Sequence, residues 1–199
     1  MMIKAEQFSP VTVGPTQTVC PHCGHKGTFE VIGQDLFLGT QYICGQRRCP
    51  ALKCHGHLFI ILNRANELIF QYPPIRVSFS TENLPESILK TFDEAVTCHS
   101  QSCFIAAAIM IRRTLEEICE ERGAEGDNLR ARVNDLRTKV LLPQALFEAM
   151  DELRLLGNDA AHIEAKTFAQ ITKQELDVAL EFTIELLKAL YQYSSTLST

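Results

Sequence analysis

The stretch Leu68-Ile-Phe-Gln-Tyr72-Pro73-Pro74, with Leu84-Pro85-Glu86 shortly after it, decides the fold. Up to Tyr72 the apolar residues come in short runs typical of strands, and Pro73-Pro74 ends the last run because proline cannot donate to a β-ladder. From Pro85 onward the apolar residues recur at the helical period of 3.6, and proline suits the first position of a helix. The sequence therefore predicts an α+β chain with its strands first and its helices after them.

Short apolar runs before the switch predict the strands. They are residues 29–32, 42–44 and 58–62. The last of these runs is expected to pair with residues 68–72 across the polar turn formed by residues 63–67. Residues 20–75 are thus predicted to be one small β domain, preceded by an N-terminal segment (1–19) and followed by a linker (76–84).

Residues 85–199 are predicted to form a bundle of four to five helices. The second helix, from about Ser102 to Arg122, is apolar on all sides in its first half, so we expect it at the centre of the bundle. A third helix is indicated by a stripe of apolar residues from Leu129 to Val140, and Pro143 opens a fourth. The last helix begins with the capping box Thr172-Lys-Gln-Glu175.

Composition excludes several classes of protein. The chain has 199 residues, 46% hydrophobic and 22% charged, as expected of a globular protein rather than a disordered one. Its longest apolar run, Cys103 to Ile111, is far shorter than the about 20 residues of a membrane span. Since no apolar stretch near Met1 resembles a signal peptide, we expect a cytoplasmic protein without a membrane partner.

Five of the eight cysteines fall between Cys20 and Cys54, and in a reducing compartment such a cluster favours a metal over disulfides. Cys20-Pro-His-Cys23-Gly is typical of a zinc knuckle, because two thiolates on such a turn can reach one tetrahedral ion. The next pair, Cys44 and Cys49, completes a predicted structural zinc site. The alternative is that Cys54, His55 or His57 replaces Cys49.

Charge is distributed unevenly along the chain. Residues 1–60 carry five Lys/Arg against three Asp/Glu, whereas the remainder carries 14 against 21. Arg47, Arg48 and Lys53 are therefore candidate contacts for nucleic acid, which the acidic remainder would repel. An ordinary solvated surface is the alternative explanation of these cations.

A second polar group lies in the segment from Asp151 to His162. Arg154, Asn158 and His162 follow one another at i, i+4 spacing, and together they are suited to bind a phosphate and move a proton. The alternative is structural: Gly157-Asn158 ends one helix and His162 bonds a backbone carbonyl. Binding of nucleic acid without cleavage is a third possibility.

Several motifs occur together in a fixed order. They are Cys-Pro-x-Cys, Tyr72-Pro73, Leu84-Pro85-Glu86, Phe92-x-Glu94-Ala95, Arg112-Arg113-Thr-Leu115-Glu116 and Arg-x-x-Gly-Asn-x-Ala-Ala-His from Arg154 to His162. In this order they resemble domain-of-unknown-function family 4145. That family in turn resembles the HEPN superfamily of helical bundles, which is found in prokaryotic defence and toxin systems.

The resemblance implies a zinc ribbon followed by a HEPN-like bundle that forms a homodimer. It further implies that an Arg and a His of each subunit, here Arg154 and His162, cut RNA without a metal, with the His transferring a proton and the Arg stabilising the phosphate. We expect RNA or another nucleic acid as the partner. The alternative is a non-enzymatic module whose ribbon docks a protein and whose helices dimerise.

Overall fold

The computed structural model describes residues 7–161 and 171–193, and the side chains of residues 154–161 lie outside that description. The chain divides into two compact units, residues 1–76 and residues 77–199, named here the sheet unit and the helical unit. The strands are β1 (Phe8–Val11), β2 (Thr16–Val19), β3 (Lys26–Leu38), β4 (Tyr42–Arg48), β5 (His57–Asn63) and β6 (Leu68–Tyr72). The helices are α1 (Glu86–Ser100), α2 (Phe104–Glu121), α3 (Leu129–Lys139), α4 (Gln144–Ala161) and α5 (Lys173–Leu187). The predicted α+β class is confirmed, since the described residues form an antiparallel sheet followed by five helices.

The sheet unit is built around the long strand β3. The strand order is β1-β3-β4-β5-β6, all antiparallel, and β2 pairs with the first residues of β3. A bulge interrupts the β3–β4 ladder between Ile32 and Leu36, and Gly33 lies within it at a φ of 71°, a conformation that favours glycine. The predicted hairpin is present, since β5 pairs with β6. Strands β1 and β2, in the segment predicted as an N-terminal extension, complete the sheet.

The two faces of this sheet differ in burial because side chains alternate along each strand. The inner face carries the buried core of Val13, Cys20, Phe29, Ile43, Cys49, Leu58, Ile60 and Leu62. The opposite face, called here the outer sheet face, is formed by Cys44, Gln46, Phe59, Ile61, Phe70 and Tyr72, which lie in register across β4, β5 and β6. None of these six residues is fully buried.

In the helical unit, α2 contacts α1, α3, α4 and α5, as its apolar sequence predicts. The first half of α2 is not enclosed on all sides, however, because Ile105 and Ile109 are 42% and 36% exposed. Ile111, Leu115 and Ile118 of α2 are completely buried. The predicted capping box is also present: the Thr172 hydroxyl accepts from the Glu175 amide, and the Glu175 carboxylate accepts from the Thr172 amide. Beyond Leu187 the chain continues as a π-helical turn, Lys188–Gln192.

The segment predicted as a linker contributes to the helical unit. Val77, Phe79 and Leu84 are partly buried against the helical core. The Phe79 and Phe92 rings contact each other edge-on, with 4.7 Å between their centroids. Apolar contact of this kind ties the segment to the helices that follow it. No helix in the described part of the chain has the length and apolar composition that a membrane crossing requires.

Candidate metal centre

Four cysteines meet at one end of the sheet unit. They are Cys20, Cys23, Cys49 and Cys54, and their sulfur atoms all lie within 4.8 Å of one another. Cys20 and Cys23 lie on the turn between β2 and β3, and Cys49 and Cys54 lie on the loop between β4 and β5. Both loops adjoin β3 and its neighbours, so the sheet brings the two sequence-distant pairs together.

The distances between sulfur atoms fit a tetrahedral metal ion. Cys20 Sγ lies 3.7 Å from Cys54 Sγ, and Cys23 Sγ lies 3.8 Å from Cys49 Sγ. A zinc ion with four Zn–S bonds of about 2.3 Å requires sulfur atoms about 3.8 Å apart. A disulfide needs about 2.05 Å, and all four cysteines are free thiols.

The two loops have the same backbone geometry. In each, the amide of the first cysteine donates to the carbonyl two residues beyond the second cysteine: Cys20 to His25 and Cys49 to Gly56, both at 2.9 Å. The residue directly after the second cysteine has a positive φ in both loops, 73° at Gly24 and 48° at His55. The loop from Cys49 to Gly56 is therefore a second knuckle, which has two more residues between its cysteines than the first.

Glycine is required where the two knuckles approach each other. A Cβ built on Gly56 would lie 2.3 Å from the Cδ2 atom of His22, and the His22 ring Nε2 lies 3.0 Å from the His57 carbonyl oxygen. The Gly56 amide also donates to Cys54 Sγ at 3.4 Å. The two knuckles thus pack through the His22 ring of the first and the Gly56 backbone of the second.

The thiols of Cys23, Cys49 and Cys54 differ in proton affinity. A backbone hydrogen bond from His25 lowers the pKa of the exposed Cys23 thiol, whereas burial raises the pKa of Cys49 to about 12. At Cys54 the Gly56 amide lowers the pKa, but burial and the thiols of Cys23 and Cys20 outweigh it, and the net pKa is raised. Because a metal requires thiolates, binding at this cluster releases protons.

The structure brings together three of the four predicted ligands, and Cys54 takes the place that the sequence analysis gave to Cys44. Cys44 lies within β4, opposite Leu36 and Ile61, on the outer sheet face. Burial raises the pKa of its thiol. Cys54 does not replace Cys49, the alternative that spacing leaves open, because both residues belong to the cluster.

Arg47, one of the three predicted nucleic-acid contacts, lies inside the sheet unit and is completely buried. Its guanidinium makes a bidentate ion pair with Asp35, with nitrogen to oxygen distances of 2.8 and 3.0 Å, and Nε donates to the Thr16 hydroxyl at 3.0 Å. Gly45 makes room for this pair, because a Cβ there would lie 1.8 Å from Asp35 Oδ1. A guanidinium enclosed in this way cannot reach a phosphate in solution.

The other two cations remain at the surface. Lys53 is exposed on the second knuckle, and Arg48 pairs with Glu30 across β3 and β4 at 2.6 Å. Both side chains of that pair are about half exposed, so the pair contributes little and competes weakly with a phosphate.

The predicted helical site lies only partly within the described structure. Arg154 and Asn158 lie one turn apart on α4, which continues unbroken through Gly157 to Ala161. A helix end at Gly157-Asn158, the structural alternative from the sequence, is therefore not present. The side chains of Arg154 and Asn158 lie outside the described residues, and so does His162 altogether.

The signal that identifies Cys54 is present in the sequence. Cys49-Pro50 repeats the Cys20-Pro21 step, and Cys54-His55-Gly56 leaves the knuckle as Cys23-Gly24 does. Cys44, by contrast, belongs to a predicted strand, and a strand does not form the turn that a pair of ligands needs. Spacing alone cannot separate the two, because four residues lie between Cys44 and Cys49 and also between Cys49 and Cys54.

A family model described as Domain of unknown function (DUF4145) matches residues 93–199, which cover the helices from the middle of α1 onward. No curated protein and no solved structure matches the chain.

Proposed function

The chain belongs to the DUF4145 family, and on that premise we propose that it is a nucleic-acid-associated protein of the prokaryotic defence type. In this proposal the sheet unit is a zinc ribbon that binds the partner, and the helical unit is a HEPN-like bundle. The observation that carries the proposal is the cluster of four cysteine sulfurs with tetrahedral spacing.

The donor set favours a structural zinc ion over a catalytic one. Four thiolates fill a tetrahedral site and leave no position for water or substrate. The sheet unit also has a small apolar core, and a small domain of this kind needs a metal or another cross-link to hold its shape. The ribbon is therefore a binding module, and any chemistry belongs to the helices.

The experiment on the metal compares two cysteines that sequence spacing cannot distinguish. Cys54→Ser is expected to lose the bound zinc, whereas Cys44→Ser keeps about one zinc per chain. Elemental analysis measures the zinc content of both variants, in protein purified without a metal-affinity column. Spectroscopy of the cobalt-substituted chain reports whether four thiolates bind the metal. A wild-type chain free of metal, or zinc lost from Cys44→Ser and kept by Cys54→Ser, contradicts the assignment.

A second candidate function is cleavage of RNA by Arg154, Asn158 and His162, without a metal. The observation that favours it is the unbroken course of α4 through Gly157, which keeps Arg154 and Asn158 one turn apart. Here His162 moves the proton of the ribose 2′-hydroxyl and Arg154 stabilises the phosphate. We also propose a homodimer, in which this helix meets its own copy.

The cleavage hypothesis predicts products with 2′,3′-cyclic phosphate ends, because the ribose hydroxyl is the nucleophile. Cleavage is expected to continue in EDTA at a concentration that leaves the zinc bound, and DNA is expected to remain intact. His162→Ala is expected to lower the rate by about 10²- to 10⁴-fold. If the same RNA cleavage persists in that variant, the activity belongs to a contaminant, and the binding module alone is retained.

A further inference from the structure

The outer sheet face presents aromatic rings to solvent in the middle of a folded sheet. Phe59, Phe70 and Tyr72 are 58%, 44% and 55% exposed. Phe59 lies directly opposite Tyr72, and Ile61 lies opposite Phe70, so the three rings occupy neighbouring positions on two paired strands. Residues two apart on a strand, such as Phe70 and Tyr72, are separated by about 7 Å.

Hydrogen-bonding groups lie directly beside these rings. Gln46 is the cross-strand neighbour of Phe59, and its Nε2 lies 2.8 Å from Nδ1 of the exposed His57. A cavity of about 450 Å³ opens along the same face and is lined by both Gln46 and Phe59. The face therefore combines flat apolar rings with polar groups that can pair with the edge of a planar ligand.

Charge separates this unit from the rest of the chain. Within residues 7–76, five cations and two anions remain once the buried Arg47–Asp35 pair is set aside, whereas residues 77–199 carry 12 Lys/Arg and 20 Asp/Glu. A zinc ion bound by four thiolates carries a charge of about −2, which offsets most of the excess of cations. A polyanion can thus approach the sheet unit, but stacking has to supply most of its binding energy.

We propose that the outer sheet face is a stacking platform for the bases of single-stranded nucleic acid. Phe59, Phe70 and Tyr72 each stack on a base, and Gln46 and His57 pair with base edges. Single strands offer what this surface can bind, because every base has a π-face and an unpaired edge. The inference rests on the proposed function, since it names the ligand of the ribbon, and it requires no cleavage.

The test uses the full zinc-loaded chain and fluorescence anisotropy with labelled 12-nucleotide strands of RNA and of DNA, beside the matching duplexes. We expect binding to single strands and little binding to duplexes. Phe59→Ala and Tyr72→Ala are each expected to weaken binding by about 5- to 100-fold, the range of a lost base stack. Phe59→Tyr and Tyr72→Phe keep a ring and are expected to bind as the wild type does.

Phe8 supplies the matched control. It is 61% exposed on β1, at the opposite edge of the same sheet, so Phe8→Ala removes an equally exposed ring from outside the platform. That variant is expected to bind normally. Because charge contributes little, affinity for single strands is also expected to fall only a few-fold between 50 and 200 mM salt, well short of the about 10³-fold or greater loss seen with many phosphate contacts.

Three results would overturn the proposal. The first is single-strand binding that is unchanged in Phe59→Ala and Tyr72→Ala. The second is an absence of binding by a chain whose zinc content and melting are normal, which removes the nucleic-acid partner of the proposed function as well and leaves only the zinc ribbon. The first result, by contrast, removes the platform and keeps that partner. The third is a dimer that dissociates in Phe59→Ala, by sedimentation, while strand binding stays the same. In that case a second copy of the chain covers the face.

Discussion

The two units of the chain have different kinds of interior. Among the described residues, the helical unit buries 24 apolar side chains in one cluster, whereas the sheet unit buries eight, two of which are the cluster cysteines Cys20 and Cys49. The centre of the helical unit is the apolar side of α2. The sheet unit instead encloses the ion pair of Arg47 and Asp35.

This difference shows where each unit obtains its stability. Burial of apolar surface stabilises a helical bundle of this size without further help. The sheet unit encloses charges, whose desolvation offsets much of their mutual attraction, and the proposed zinc ion would supply the remainder. The two units are therefore expected to respond separately to loss of the metal and to loss of apolar contacts.

Removal of the metal is expected to have the largest effect. A structural zinc ion contributes about 10–16 kcal/mol at neutral pH, more than the whole stability of most small domains. A strong chelator is therefore expected to unfold the sheet unit and leave the helices intact. Hydrogen exchange measures this directly: amides of β3 to β5 lose protection and those of α2 keep it, and added zinc reverses the change. Loss of protection in both units together would contradict the comparison.

Breaking the buried ion pair of Arg47 and Asp35 is expected to have the next largest effect on stability. Arg47→Met leaves the carboxylate of Asp35 buried without its partner, which is expected to cost about 3–5 kcal/mol of unfolding free energy. The double variant Arg47→Met with Asp35→Leu removes both charges and is expected to lose less than the single one. Chemical denaturation of the zinc-loaded chain measures both. A double variant less stable than the single one would show that the pair itself stabilises the sheet unit.

Two glycine-to-alanine variants test the same site, one that adds a methyl group against the ion pair and one that adds it in open space. Gly45→Ala places a methyl group against Asp35, whereas Gly14→Ala meets no atom within 4 Å. Only the first is expected to destabilise the sheet unit. Equal effects from both would mean that backbone flexibility, not the ion pair, determines the loss.

The corresponding core variant of the helical unit is Ile111→Ala, in α2, where the side chain is completely buried. The cavity is expected to cost about 2–5 kcal/mol and to leave the zinc content unchanged. Ile109→Ala, on the same helix but 36% exposed, is the control and is expected to cost much less. Thermal unfolding followed by the helical signal measures both. Zinc lost from Ile111→Ala would show that the units are coupled.

Local patterns were enough to predict most of the helical unit. The capping box at Thr172 and the apolar surround of α2 are short-range signals, and each fixes an element by the chemistry of a few consecutive residues. The hairpin of β5 and β6 was predictable for the same reason. Strands β1 and β2 were not, because β1 contains a proline, β2 is mostly polar, and both are stabilised by pairing with β3.

The candidate site was harder to predict because its partners are distant in sequence. The alternation of β4 places Arg47 on the same face as buried Ile43, but its partner Asp35 lies on the bulge of β3, which no local pattern reveals. Cys44 and Cys54 are equally spaced from Cys49, and they are separated by the strand that contains Cys44 and by the Cys-Pro step that Cys49 shares with Cys20. Long-range pairing thus decides the buried arginine, whereas local sequence identifies the fourth sulfur.

The smallest expected effect concerns the cap of α5, which tests whether the helical unit also depends on polar contacts. Thr172→Ala removes the hydroxyl that accepts from the Glu175 amide at 3.2 Å, and is expected to cost about 0.5–2 kcal/mol. The hydrogen bond from the Thr172 amide lowers the pKa of the Glu175 carboxyl in the folded chain. The stabilisation that this hydrogen bond provides is therefore complete above the unfolded pKa of the carboxyl, about 4.3. It is lost as the pH falls through the lower pKa of the folded chain. Glu175→Gln is expected to lose less stability than the wild type over that acid range, by denaturation at pH 6 and pH 3. Parallel losses in the two proteins would assign the acid sensitivity of the helices to other carboxylates, such as Asp135, whose pKa an amide hydrogen bond from Glu125 also lowers.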